Sequence, residues 1–321
     1  MITTVVGNYP KVAEGAYSTK LIGAITKWQR KELTDAQLET VYREITRAVI
    51  QEQEQAGIDL LTDGQIRWED LLTPMARHLE GFDINGLERW FNNNTYYRRP
   101  ILRAAPAWKK PILVDQYRFA ASCTRRPIKA VLPGPYTFAR MSEDRFYKSE
   151  RKFALKMAEI LNAEAQALVK AGASFVQFDE PSLVYGKKPD VALAIQALNI
   201  AAEGLKATTA VSTYFGAPNG ALAPLMRAHV DVIGVDAVSD PAALNALAKT
   251  KITKALAVGC VDARNTKLES IRELQTIFRT IKKLAPKDRL YVNPNCGLEF
   301  LPHTQALAKV RRLAEAARAA R

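Results

Sequence analysis

Two adjacent carboxylates, Asp179 and Glu180, follow the apolar run FVQF directly and precede a proline. Residues leaving a strand alternate sides, so one carboxylate can enter a cleft while the other braces a neighbouring loop. Asp179 is read as the functional member, suited to orient a cationic or hydroxyl-bearing group. Glu180 is read as its structural partner, held by an arginine or a backbone amide. Further along, the β-branched stretch TTAVSTYFG delivers Ser212, Thr213 and Tyr214 at its end. The Tyr214 phenol suits donation of a hydrogen bond or proton to a developing anion. Asp236 and Asp262 close two later apolar runs and are candidate general bases, and Arg264 favours an anionic substrate group. With Asp179, Tyr214, Asp236 and Asp262 as the candidate catalytic set, Asn8, Gln65, Glu180, Ser212, Arg264 and Cys296 form the candidate substrate-binding set. Turn chemistry alone supplies many of the Gly, Pro, Asn and Asp residues at such places.

These residues share a position relative to the elements that carry them. Short β-branched runs lie at 3–7, 59–63, 128–132, 174–178, 209–213, 231–235, 254–258 and 289–293. Helical spacing follows at 36–56, 68–81, 145–171, 191–206, 219–228, 241–250, 267–285 and 303–320. Thr34-Asp35 and Ser239-Asp240-Pro241 are helix starts. Eight strands alternating with helices predict an α/β protein, a (β/α)8 TIM barrel over residues 1–321, with an open doubly wound sheet as the alternative. Neither G-x-G-x-x-G after the first strand nor GxxxxGK[ST] anywhere supports that alternative. Barrel chemistry sits beyond the C-terminal ends of strands, where the candidate residues lie. The stretch 83–127 is too long for a connection and reads as an insertion between the second helix and third strand, with a hairpin of YYRRPIL and ILVDQYRF.

The net charge of +13 concentrates in that insertion. From Asp83 to Lys129, ten Lys or Arg face three acidic residues, with Trp90, Tyr96, Tyr97 and Trp108 among them. No nucleic-acid-binding motif accompanies the charge, so it reads as a solvated basic surface, open to an acidic protein partner. No apolar stretch reaches membrane-spanning length and the N-terminus lacks signal-peptide order, so a soluble cytoplasmic protein is expected. Cys123, Cys260 and Cys296 are odd in number and widely spaced, which predicts reduced thiols.

The strand ends resemble the catalytic C-terminal barrel of the cobalamin-independent methionine synthase family, in its short form. The matching segments are VVGNYP, AGIDLLTDGQIRWEDL, LPGPYTFARMS, FVQFDEPSL, DVIGVDAVSD, VGCVDARNTKLES and YVNPNCGLEF, in order along nearly the whole chain. The resemblance implies methyl transfer from methyltetrahydrofolate to homocysteine, whose thiol is ionised by a zinc ion held by a His-x-Cys pair, a glutamate and a distant cysteine. Here Ser212-Thr213-Tyr214 stands where the His-x-Cys pair belongs, Asp236 at the glutamate and Cys296 at the distant cysteine. Asp236 and Cys296 are then the zinc ligands that remain, with Cys260 a third donor. Gln65 replaces a glutamate that contacts the amino-acid amine, Met141 a tryptophan that stacks on the pterin, Arg264 a histidine and Asn8 a serine. Asp179 matches the aspartate that binds the amino acid.

The expected function is methyl or one-carbon transfer without zinc, to an acceptor other than homocysteine, such as an activated carbon or enolate. The small-molecule substrate is expected to carry an anionic group, and methyltetrahydrofolate or a methylcorrinoid protein is the expected donor. Two alternatives stand beside it: a methionine synthase with a rebuilt zinc site, and a non-catalytic or partner-dependent barrel that docks a corrinoid protein on its basic insertion.

Overall fold

Parallel strands buried on both faces need apolar side chains throughout, and the short runs of this chain supply them. The computed structural model describes residues 1–11, 16–93, 95–186, 188–218, 220–240, 242–285 and 287–320. Pro241, placed in a helix start, and Asn219, the first residue of a predicted helix, lie outside them. Among the described residues the strands are β1 (Ile2–Thr3), β2 (Glu80–Arg89), β3 (Tyr96–Ala107), β4 (Ala130–Pro133), β5 (Glu143–Asp144), β6 (Phe175–Asp179), β7 (Thr208–Ser212), β8 (Val232–Asp236), β9 (Ala255–Val261) and β10 (Leu290–Pro294). The fold is mixed α/β, and no described helix is long and apolar enough to cross a membrane.

The chain forms two compact units. The first comprises Met1–Arg67, Arg118–Ile128 and Ala257–Arg321. In it β1 pairs in parallel with β10, with Ile2 opposite Tyr291, and β10 neighbours β9. The helix Asp35–Ala56 opens on a capping box, in which Thr34 Oγ1 accepts the Gln37 N–H and Gln37 Oε1 accepts the Thr34 N–H. It ends at Gly57, whose φ of 93° lies in the left-handed region that glycine tolerates. The closing helix His303–Ala319 buries Ala306, Val310, Leu313 and Ala317 at helical spacing.

The second unit comprises Trp68–Tyr117 and Lys129–Leu256. Its parallel strands run in the order β4-β6-β7-β8, with Asp179 opposite Ser212 and Ser212 opposite Gly234. The helices Glu150–Lys170 and Val191–Ala202 each bury an Ala/Leu-rich face. The antiparallel pair β2 and β3 is extended by β5. Buried Glu164 accepts the Trp108 indole N–H at 2.7 Å and the backbone N–H groups of Ile112 and Leu113, which fastens this segment to its helix.

Six of the eight predicted strands form with shifted ends. The run 3–7 shrinks to β1 and one bridge at Thr4, and 59–63 pairs only at Leu60 and Leu61. Side chains take over the ladder there: Thr3 Oγ1 donates to Asp59, Gln53 Oε1 accepts the Thr62 N–H, and Thr62 Oγ1 donates to the Gly7 carbonyl. The helix predicted over 68–81 reduces to Thr73–Ala76, because Asp70 accepts the N–H groups of Leu72 and Thr73 and starts the turn late. The hairpin pairs β2 with β3, whereas ILVDQYRF runs into the helix Val114–Ser122, which takes up its residues from Val114 on. Its buried Leu113, Val114, Tyr117 and Ala120 follow a three-to-four spacing, which overrides their strand propensity. Helices Ala16–Gln29 and Pro135–Arg140 were not expected.

Candidate active site

In the second unit, Asp179, Ser212 and Asp236 are the last residues of β6, β7 and β8. Strand alternation and register place all three on one face. Asp179 is buried, and its Oδ2 accepts the Tyr214 hydroxyl at 3.2 Å. Its Oδ1 accepts the Gln177 amide at 2.7 Å, and Gln177 Oε1 in turn accepts the Lys129 ammonium at 2.7 Å. Lys129 and Gln177 belong to the site although only their polarity within apolar runs singles them out in the sequence.

Glu180 faces elsewhere and accepts backbone N–H groups, Tyr136 at 2.9 Å and Thr137 at 2.7 Å. These begin the short helix Pro135–Arg140, whose buried first-turn amides have no partner within the helix and favour a carboxylate. Burial nevertheless pushes the Glu180 carboxyl up to about 7. Its approach requires Gly134, since a Cβ there would overlap Glu180 Cγ and Cδ.

Asp236 is fully buried, and three amides converge on it: Phe215 N–H on Oδ2 at 3.0 Å, Val238 N–H and Ser239 N–H on Oδ1 at 2.9 and 2.8 Å. Burial raises its pKa against those hydrogen bonds. The carboxylate thus clasps the loop after β7 to the loop after β8. A close approach supports the same junction, because a Cβ at Gly234 would lie 2.9 Å from Ser212 Cα. Thr213 Oγ1 donates to the Gly234 carbonyl at 2.8 Å.

Phe215 has a φ of 76°, a strained value for a side chain of its size. Its ring lies 5.5 Å from Phe91, and Phe91 lies 5.5 Å from Tyr185. Trp90 and Tyr97 continue the aromatic contacts into β2 and β3. The segment joining β2 to β3 therefore supplies an aromatic wall against Phe215, whose ring in turn meets that of Tyr214 at 4.7 Å. Tyr97 donates its hydroxyl to the Met141 carbonyl at 2.8 Å.

In the first unit, the loops carrying the remaining candidates are tied together by backbone bonds. Tyr9 N–H donates to the Gly64 carbonyl, Leu298 N–H to the Asn8 carbonyl, and Asn295 N–H to the Val261 carbonyl. Asn8 Oδ1 accepts from Lys11 Nζ at 3.0 Å. Gln65 is buried with φ 48°, and its Nε2 has no hydrogen-bond partner among the described residues. Burial raises the neighbouring Asp63 carboxyl, and pushes Glu299 up to about 7. Asp262 accepts the Arg264 N–H within its own turn at 2.9 Å, and Arg264 is exposed. Cys296 and Cys260 are buried, and burial drives the Cys260 thiol up to about 12.

The donors at the zinc-ligand positions of the second unit are two hydroxyls and one carboxylate already bound by three amides. Hydroxyls are poor zinc donors beside imidazole and thiolate, so this set does not fit the ion. Among the described residues, no three His, Cys, Asp or Glu side chains gather as a metal site.

Parallel strands ending in a cluster of polar side chains define an α/β protein of the kind that places its chemistry beyond its strand ends. The chain belongs to the family described as "Cobalamin-independent synthase, Catalytic domain", which matches residues 1–319. Methionine synthase of Saccharolobus solfataricus is 29% identical over 321 residues, covering 99% of this chain and 94% of the relative. A B12-independent methionine synthase from a Shewanella species, solved in complex with selenomethionine, superposes with a TM-score of 0.85 at 27% identity, covering 99% and 97% of the two chains. A structure from Listeria monocytogenes, described as a putative vitamin-B12-independent methionine synthase, shares the fold at a TM-score of 0.79 and 15% identity, covering 99% of this chain and 98% of that one.

Proposed function

We propose that the protein is a zinc-independent methyl or one-carbon transferase of this family, acting on an acceptor other than homocysteine. The family match and the relatives named methionine synthase support methyl transfer. The observation that carries the departure is the rebuilt loop after β7: Tyr214 donates to Asp179, and Asp236 holds three amides. Asp179 orients the acceptor, Tyr214 turns its single hydroxyl proton from Asp179 to the developing negative charge once substrate is bound, and the aromatic wall excludes water. Asp236 serves as the clasp that sets the loops. The acceptor loses a proton and gains the methyl group, and with methyltetrahydrofolate as donor the proton ends on its N5. Gln65 and Asn8 are binding residues for the polar end of a substrate. In the same reading the eight strand positions close into a (β/α)8 barrel with 83–127 as its insertion.

The test supplies the purified protein with methyltetrahydrofolate labelled with carbon-13 at the methyl group, together with thiol and carbon acceptors, before and after treatment with EDTA. Transfer to a carbon acceptor that survives EDTA is expected. Transfer to homocysteine alone, lost with EDTA, restored by zinc and abolished by Cys296→Ala, would instead establish a methionine synthase with a rebuilt metal site. Roughly one zinc per chain would accompany that outcome.

A further inference from the structure

A lysine inside a parallel sheet loses its hydration, and the position normally takes an apolar side chain. Lys129 precedes β4 and is 4% exposed. Register places it on the face shared by Val131, Gln177 and Asp179, because Val131 lies opposite Gln177 and Pro133 opposite Asp179. On β7 the residue opposite Gln177 is Ala210. Asp179 is the charged group whose field favours the ammonium, while burial opposes it more strongly and pushes Lys129 down to about 7.

The hydrogen bonds have one direction. As an ammonium Lys129 carries donors only, so Gln177 turns its Oε1 toward Lys129 and its Nε2 toward Asp179. Asp179 then receives Gln177 on one oxygen and Tyr214 on the other. We propose that Lys129 is a positioning residue, which acts through Gln177 to fix the orientation of Asp179 as the acceptor for a ligand group that donates hydrogen bonds or carries positive charge. This rests on the proposed function only in taking Asp179 as part of the binding site. An apolar residue at 129 would fill the same space but remove the donor that Gln177 Oε1 accepts, and with it the bond that sets which end of the amide meets Asp179.

The test labels lysine with carbon-13 at Cε and follows the Lys129 resonance with pH. The resonance is assigned by its loss in Lys129→Met, or in Lys129→Arg should the first variant not fold. In the wild type it is expected to titrate well below the ~10.4 of an ordinary lysine. In Asp179→Asn the midpoint is expected to fall further, because the anion that favours the ammonium is gone. A second readout is the affinity for L-methionine, whose amine is cationic, expected to drop about tenfold in Lys129→Met and to recover in part in Lys129→Arg. A lysine that titrates in the ordinary range, or whose midpoint stays put in Asp179→Asn, would overturn the proposal, as would a wild type that does not bind L-methionine or unchanged L-methionine affinity in Lys129→Met. Methyl transfer to homocysteine that depends on zinc, with the Lys129 titration as described, would sink the proposed function and leave the positioning role standing.

Discussion

Phe91 and Phe215 both adopt left-handed backbone, at φ 50° and 76°, and their rings meet 5.5 Å apart. Bulky residues pay roughly 1–3 kcal/mol for such conformations, so the surrounding contacts must hold them there. The clasp of Asp236 on the Phe215 N–H is one of those contacts.

Replacing Phe91 by alanine tests the wall. Phe91 is half-buried, so the loss is expected at about 1–2 kcal/mol, below the ~3–5 of a fully buried phenylalanine. Urea denaturation measures that loss. Ligand affinity is expected to fall more than stability, and equal binding by Phe91→Ala would remove the wall from the site.

Gly134→Ala is expected to be costly because the new Cβ displaces Glu180 from the amides of Tyr136 and Thr137. Overpacking and two broken charge-assisted bonds predict a loss of about 2 kcal/mol or more. Gly220, with a φ of 77° and open space around its Cβ position, serves as a comparison in which only backbone strain enters. A Gly134→Ala variant as stable as wild type would mean that Glu180 is not held as described.

Two buried groups give stability slopes of opposite sign. The Glu180 carboxyl lies near 4.3 when unfolded and at about 7 when folded, so the folded protein holds that proton more tightly and stability falls as pH rises through this window. Lys129 lies near 10.4 when unfolded and at about 7 when folded, so the unfolded chain binds more protons between them and stability rises with pH there. Subtracting variant from wild-type denaturation midpoints isolates each slope. Glu180→Gln should flatten the first, and Lys129→Met the second.

Thiol labelling of the native protein near pH 8 is expected to be uneven. Cys123 is the half-buried cysteine, whereas Cys260 and Cys296 are buried and the Cys260 thiol lies at about 12. An aromatic disulfide reagent should modify Cys123 first and reach the other two only on unfolding. Fast reaction of Cys296 would place it on an open cleft.

The residue pattern alone determined that the chain alternates strand and helix, and where most strands end, because those features follow from local hydrophobic period and turn chemistry. Asp179, Ser212 and Asp236 were legible as strand-end residues for that reason, and their chemistry follows from their type. Tertiary structure decided what each one does. Asp236, a candidate base by position, accepts three amides from two loops, and no local pattern shows which N–H groups will converge on it. ILVDQYRF has strand composition, yet burial of Leu113, Val114, Tyr117 and Ala120 makes it a helix. Lys129 and Gln177 interrupt apolar runs, and only the pairing of β4 with β6 and the i, i+2 alternation along β6 turn them into a chain ending at Asp179. A sequence specifies residue types and local spacing, whereas partners more than a few residues apart exist only once strands have paired and side chains have lost their water.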